Sequence, residues 1–255
     1  MGKIVFITGA SSGFGAATAK KFAAAGYNLV ITGRREDRLE SLKEEIEKEY
    51  GGKVHPLVFD VQNREAVFAS VATLDQEWQQ IDVLVNNAGL ALGRDLFQNG
   101  DIDDWEVMID TNVKGLLYVT KAIVPFMIAR NKGQIINLGS IAGKEAYEKG
   151  NVYCASKAAV ASISRSLRID LLSHRIKVTA VHPGAAETEF GIVRFKGNAE
   201  TASNIYQGYQ PLLPEDVADV IFYCASQPEH VCINEIEMTC VAQANSFVTF
   251  KTKQG

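Results

Sequence analysis

Tyr153 and Lys157 lie four residues apart in a helical stretch, so a phenol and an ammonium share one helix face. A phenol titrates near ~10, too high to exchange protons well at neutral pH. A neighbouring cation favours the phenolate, and a drop of about 3 units requires roughly 4 kcal/mol of differential stabilisation. The chemistry such a pair would do is proton transfer at an alcohol or carbonyl oxygen. Ser140, just past the strand-like run 134–138, puts a hydroxyl where that oxygen would be held. A hydrolytic nucleophile is the competing use of Ser140, yet Leu138-Gly139-Ser140-Ile141-Ala142 lacks the G-x-S-x-G elbow. Tyr-x-x-x-Lys alone is weak, expected by chance about half the time at this composition, and a surface helix pair is its bland alternative. Asn112 falls inside the helical stretch 105–130, where a helix-start role competes with a functional one.

A second constellation sits near the N-terminus. The apolar run 4–8 leads into Gly9-Ala10-Ser11-Ser12-Gly13-Phe14-Gly15 and then a helix. Glycines at a strand-to-helix turn let backbone N–H groups and the helix N-terminus approach a pyrophosphate. About 20 residues on, the next strand ends in Gly33-Arg34-Arg35. A chain that binds NAD places an acidic residue there for the ribose 2′-hydroxyl; arginine suits a 2′-phosphate, which points to NADP(H). The alternative, a solvated basic pair, is less comfortable because two arginines at a helix start oppose its dipole.

The elements that must position these residues alternate. Strand-like runs at 4–8, 28–32, 54–59, 83–86, 134–138 and 177–181 are separated by helical stretches at 16–25, 36–50, 64–78, 105–130 and 152–172. Several of the runs are continuously apolar, as strands buried on both faces are. The alternation predicts one α/β domain over residues 1–255, a doubly wound parallel sheet of Rossmann type with helices on both faces. Ligands of such sheets sit at the strands' carboxyl ends, where the motifs above fall. Residues 184–213 break the rhythm with Gly191, Gly197, Gly208 and Pro211, and a long loop at that place reads as a lid over the site.

Bulk properties narrow the partners. With 47% hydrophobic residues the chain can bury a full core, and a net charge of −4 gives no reason to expect nucleic acid or an acidic membrane. No apolar run approaches the roughly 20 residues of a membrane span, and the run 4–7 is too short for a signal peptide. Phe6 occupies the Ser/Thr position of a myristoylation motif that Gly2 would otherwise open. Cys154, Cys224, Cys232 and Cys240 form no C-x-x-C pair and do not cluster with the four histidines, so reduced thiols and a cytoplasmic location are expected, with no metal site.

Taken together, these pieces resemble the short-chain dehydrogenase/reductase family over nearly the whole chain. Thr8 to Gly15 is similar to its cofactor turn, Asp60-Val61 to its adenine contact, and Asn86-Asn87-Ala88-Gly89 to the segment beside the cofactor. Asn112, Ser140, Tyr153 and Lys157 match its four catalytic positions, and Pro183-Gly184 with Thr188 resembles the segment closing over the nicotinamide. The resemblance implies that Tyr153 exchanges the proton, Ser140 holds the oxygen, Lys157 lowers the tyrosine pKa and reaches the ribose, and Asn112 positions a relay water. It also implies a homotetramer built through long helices such as 152–172. Leu90-Ala91-Leu92-Gly93, Asp104-Trp105-Glu106, Gly150-Asn151-Val152-Tyr153, Thr188-Glu189-Phe190 and Val193 to Gly197 resemble the branch that oxidises serine, allo-threonine and other 3-hydroxy acids with NADP, and sulfoacetaldehyde reductases look similar. A small anionic substrate is then expected, read by Arg194 of the lid with help from nearby polar groups; Lys196 puts a second cation into that segment, and Tyr147 and Lys149 are close enough to line the mouth. The rival from another class is an idle NADP(H) sensor. Loss of Ser140, Tyr153 or Lys157 would favour it, and all three are present.

Overall fold

Strand β1 (Ile4–Ile7) is buried at every position: Val5 and Ile7 enter one hydrophobic core, and Ile4 and Phe6 enter the other. Successive side chains leave a strand on opposite faces, which is why a strand covered on both sides reads as unbroken apolar sequence. The structure, a computed structural model, describes residues 2–252. The other strands are β2 (Asn28–Gly33), β3 (Val54–Val58), β4 (Ile81–Asn86), β5 (Gly133–Leu138), β6 (Ile176–Pro183) and β7 (Glu235–Met238). They form one sheet in the order β3-β2-β1-β4-β5-β6-β7, parallel at every pairing. The order reverses between β1 and β4, and the crevice outside their carboxyl ends is where a doubly wound sheet binds its ligand.

The helices are α1 (Gly13–Ala24), α2 (Glu36–Tyr50), α3 (Arg64–Ala72), α4 (Ile102–Ile109), α5 (Leu116–Arg130), α6 (Asn151–Asp170), α7 (Phe190–Arg194), α8 (Ala199–Asn204) and α9 (Pro214–Ala225). Phe22 of α1, Leu39 of α2 and Ile221 of α9 cover one face of the sheet; Val67 of α3 and Val119, Ile123 and Met127 of α5 cover the other. Buried amides lock the second layer to the strands. Asn86 Nδ2 donates to Asn137 Oδ1 across the β4–β5 pair (2.9 Å) and to Thr120 Oγ1 on α5 (2.8 Å), and Asn137 Nδ2 donates to Ser164 Oγ on α6 (2.9 Å). Donors in such a place persist because they find partners, although Asn86 Oδ1 is left without one.

Several boundaries differ from expectation for local reasons. The helix expected to reach residue 78 stops at Ala72, because the Asp75 carboxylate accepts from the Glu77 and Trp78 amides and turns the chain. The stretch expected at 105–130 begins at Ile102 and relaxes into a π-helical turn at Asp110–Gly115 between α4 and α5. By length and composition this run, Ile102–Arg130, is apolar enough to cross a membrane, contrary to the sequence reading, but its apolar positions Val119, Ile123 and Met127 are packed on the sheet. Residues 184–213 carry two short helices, α7 and α8. Beyond them β7 and α9 went unread in the sequence.

Candidate active site

β1 ends in the glycine turn, and α1 starts at Gly13 within it. Gly9 and Gly13 have φ of 65° and 52°, where glycine is the tolerant residue. A Cβ on Gly15 would stand 2.2 Å from the Gly9 carbonyl oxygen, so the first turn of α1 can lie on the loop only as glycine. Across the switch point, Thr8 Oγ1 accepts from the Asn87 and Ala88 amides and Asn87 Nδ2 donates to the Thr8 carbonyl, which fastens the loop after β4 beside the turn. A cleft of about 730 Å³ opens above these loops. Of the residues expected from the sequence to hold the cofactor, react or read the substrate, Ala10, Gly15, Asn112, Lys149 and Lys196 do not line it. Ala10 and Gly15 act from beneath, Ala10 through its amide to the Thr32 carbonyl (2.9 Å).

The reactive groups gather at the other end. Ser140 follows β5 and is held by three consecutive residues of β6: Gly139 N donates to the Val181 carbonyl, His182 Nδ1 lies 3.3 Å from the Ser140 carbonyl, and Ser140 Oγ donates to the Pro183 carbonyl. Gly139 has to lack a side chain there, because a Cβ would stand 2.3 Å from the His182 ring. His182 is fully buried and burial lowers its pKa, so it is a neutral prop behind Ser140 that the sequence reading left without a role. Tyr153 and Lys157 project from α6, 9% and 6% exposed.

Two expected roles change. Asn112 does not line the cleft. Its Oδ1 accepts from Leu90 N (2.8 Å) and its Nδ2 donates to the Leu90 carbonyl (2.8 Å) and to Ser156 Oγ (3.0 Å), which leaves the amide no N–H for a relay water. Ser156 donates in turn to the Tyr153 carbonyl, so Asn112 brackets the loop after β4 to the helix that carries the tyrosine. The π turn sets that side chain at the required height, a common use of such turns. Lys157 donates to the Leu138 carbonyl (2.9 Å), and burial lowers its pKa to about 8. The Tyr153 pKa is raised, chiefly by burial and further by Tyr147, against the Ser140 hydrogen bond and the charge of Arg194. Arg194 is thus a cation that opposes the rise in this state, and Tyr153 keeps its proton at neutral pH.

The buried ammonium has a measurable cost. An unfolded lysine keeps its ordinary pKa, so between pH ~8 and ~10.5 the unfolded state binds more protons, and stability rises with pH across that window. Lys157→Met is expected to abolish turnover yet stabilise the fold at neutral pH by about 2 kcal/mol, after discounting the lost hydrogen bond. That corresponds to a Tm about 4–8 °C higher. Thermal melts of both proteins check it, and the gap should shrink as the pH approaches 10.

At the substrate end Arg194 closes α7. Its guanidinium carbon lies 5.5 Å from the Tyr153 ring centroid and 5.6 Å from that of Tyr147. Its Nε is buried without a hydrogen-bond partner, and it has no carboxylate partner among the described residues. Lys196, the second cation of this segment, is neutralised by Asp104 (2.9 Å) and Asp101 (3.5 Å). Lys149 does not line the cleft; Tyr147 does. At the opposite end Arg34 reaches Asp60 at 3.4 Å, whereas Arg35 donates to the Ser11 and Ser12 hydroxyls (2.9 Å each) and to Glu189 (3.0 Å). Arg38, one helical turn past Arg35, also grips Glu189. The i, i+3 spacing of Arg35 and Arg38 was legible, but no sequence signal joined Glu189 to them.

Residues 3–198 match the short chain dehydrogenase family. This chain belongs to that family. As a short chain dehydrogenase it is an oxidoreductase acting on CH–OH groups, with the Tyr153, Lys157 and Ser140 cluster at the carboxyl end of the family's sheet. Among curated relatives it is 46% identical over 242 residues to NADP-dependent 3-hydroxy acid dehydrogenase YdfG of Salmonella typhi, covering 94% of this chain and 96% of that one. It is 46% identical over 245 residues to sulfoacetaldehyde reductase 2 of Chromohalobacter salexigens, covering 96% of each. Among solved structures, the closed form of serine dehydrogenase complexed with NADP+ superposes with a TM-score of 0.91 at 43% identity, covering 98% of this chain and all of the other.

Proposed function

We propose that this short chain dehydrogenase interconverts a small anionic hydroxy acid and its carbonyl counterpart using NADP(H), with 3-hydroxy acids such as serine, allo-threonine or 3-hydroxypropionate as the substrate class. The observation that carries the substrate class is Arg194: a guanidinium without a carboxylate partner among the described residues, with a buried free Nε, held 5.5 Å from the ring of Tyr153. A carboxylate two or three bonds from the reacting carbon would meet this fork while its oxygen meets Ser140 and Tyr153. The names of the curated relatives support the same class. Sulfoacetaldehyde is the second reading, favoured by the relative from Chromohalobacter salexigens, because a guanidinium fork reads sulfonate as it reads carboxylate.

The residues fit the cofactor. Gly9 and Gly13 open the backbone of the turn beside the α1 N-terminus, and a Cβ on Gly9 would already stand 3.0 Å from Ala88 Cα. Arg34 and Arg35 would hold the 2′-phosphate, Asp60 and Val61 the adenine, and Lys157 the nicotinamide ribose, with Pro183, Gly184 and Thr188 over the ring. When bound, the nicotinamide supplies or accepts the hydride. Tyr153 gives its phenolic proton to the carbonyl oxygen during reduction and takes the alcohol proton during oxidation. Ser140 donates a hydrogen bond to the same oxygen, and Arg194 orients the acid. Segment 184–213 is the lid that keeps water out. Exposed Ile169 and Leu172, at and just past the end of α6, support a homotetramer, and four free cysteines support a reducing, cytoplasmic setting.

Cofactor choice gives one expected result. Arg34 is 62% exposed and only loosely paired, which leaves it available to a phosphate. NADP(H) is expected to exceed NAD(H) in kcat/KM at least tenfold, roughly 1.4 kcal/mol, and Arg34→Asp should narrow or reverse that preference. Steady-state kinetics with both cofactors check it. For the substrate class, the test is NADP+ reduction with 3-hydroxypropionate, serine, isethionate and neutral alcohols. Turnover confined to anionic alcohols supports the reading, and no turnover of any small acid or alcohol would revive the sensor.

A further inference from the structure

Glu189 joins parts of the cleft that are far apart in sequence. One of its carboxylate oxygens accepts from Arg35 Nη1 at 3.0 Å and the other from Arg38 Nη1, residues 154 and 151 positions earlier in the chain. Arg35 is held on its other side by the glycine turn through the Ser11 and Ser12 hydroxyls. The preceding residue, Thr188, lies over that turn: a Cβ on Gly13 would stand 3.4 Å from Thr188 Cβ. Seven residues after Glu189, Lys196 pairs with Asp104, and the Gly93 amide donates to the Arg194 carbonyl at 3.0 Å. The segment 188–196 is thus stretched across the mouth of the cleft and fastened on both banks.

We propose that Glu189 is a clasp that fastens the lid over the bound dinucleotide, with Arg38 as its dedicated anchor and Arg35 shared between clasp and 2′-phosphate, so that opening this clasp governs cofactor release. The sharing rests on the reading of Arg34 and Arg35 as the 2′-phosphate residues. Three features favour a clasp over a carboxylate that merely fills the phosphate position. Arg38 does not line the cleft, so its partner is the lid and not the cofactor. Arg34, loosely paired with Asp60, is left for the phosphate. Arg34, Arg35 and Arg38 outnumber the Asp60 and Glu189 carboxylates they pair with, so an arriving phosphate meets a guanidinium that is not spent on Glu189. Hydrogen bonding from Arg38, then from Arg35, holds the Glu189 carboxyl below its ordinary pKa, which keeps the clasp charged at neutral pH.

Each ion pair is about 40% exposed, and exposed pairs contribute little to folding, so the expected effect is on a rate. The experiment is stopped-flow displacement of NADPH, and separately of NADH, from the native protein, Glu189→Gln, Arg38→Met and the double variant. Each single variant is expected to speed dissociation about three- to tenfold with the melting temperature unchanged. The double variant should be no faster than Glu189→Gln alone, because the pair that Arg38→Met removes is already lost with the Glu189 carboxylate. NADH should be affected by a similar factor, since the clasp crosses the cleft whichever cofactor lies beneath. Unchanged dissociation in Glu189→Gln overturns the proposal. Slower NADPH dissociation with NADH unaffected also overturns it and makes Glu189 a competitor of the phosphate. Failure of the 2′-phosphate reading shows separately, as an unaltered cofactor preference in Arg34→Asp. Failure of the substrate class leaves the dissociation rates intact.

Discussion

Tyr153→Phe is expected to lower kcat about a thousandfold while leaving the NADPH dissociation constant within a factor of two. The change removes one oxygen from a ring that otherwise keeps its packing against Phe190 and Arg194. General acid–base catalysis by a positioned side chain contributes about 10²–10⁴-fold, and a phenylalanine has nothing to donate. Binding survives because the glycine turn and Arg34 lie at the other end of the cleft. The raised pKa of Tyr153 adds a direction. The phenol is already in its donating form at neutral pH, so reduction should need no adjustment there, whereas oxidation, which needs the phenolate, should quicken as the pH rises. Single-turnover kinetics with a fluorescence titration of NADPH separate the two effects. If a tenth or more of the native kcat remained, another acid would have to carry the reaction.

Arg194→Met carries the second large effect. Methionine keeps an unbranched apolar stem beside Tyr147 and Tyr153 but removes the charge and the fork. A hydrogen bond to a charged group contributes about 1.5–3 kcal/mol, so kcat/KM for anionic substrates should fall ten- to a hundredfold. Neutral alcohols should change little. Equal losses for charged and neutral substrates would mean that Arg194 supports α7 through its stacking on the two tyrosines and does not read the substrate.

What the sequence disclosed and what it hid divide along a physical line. Strands β1 to β6 are legible because short runs rich in β-branched residues, several of them apolar throughout, alternate with helical stretches. β7, by contrast, is a four-residue edge strand, Glu235-Ile236-Glu237-Met238, too short and too charged to stand out. The glycine turn, Ser140, Tyr153 and Lys157 were legible because each sits at an element end or a helical spacing that local chemistry explains. Asn112 is legible as a site residue, but the relay-water role expected of it differs from the bracket it makes to Leu90 and Ser156, which exists only once the π turn has formed. The bearing of Arg194 on Tyr153 is hidden for a related reason. Burial and the reach of Arg194 over the ring are tertiary facts, whereas the i, i+4 lysine is a sequence fact. That Lys196 is spent on Asp101 and Asp104, and Arg194 is not, is likewise a tertiary fact. Glu189 and Arg38 hid longest, because an ion pair spanning 151 positions leaves no periodic trace.

The most direct measurement is the ratio of kcat/KM values for NADP+-linked oxidation of 3-hydroxypropionate and of propan-1-ol by the native protein. The two alcohols share a three-carbon chain and differ in the carboxylate that Arg194 is positioned to hold. A ratio of at least about ten, equivalent to a charge-assisted contact of roughly 1.4 kcal/mol or more, is expected. A ratio near one, or a preference for the neutral alcohol, would contradict the assignment of an anionic substrate to this cleft.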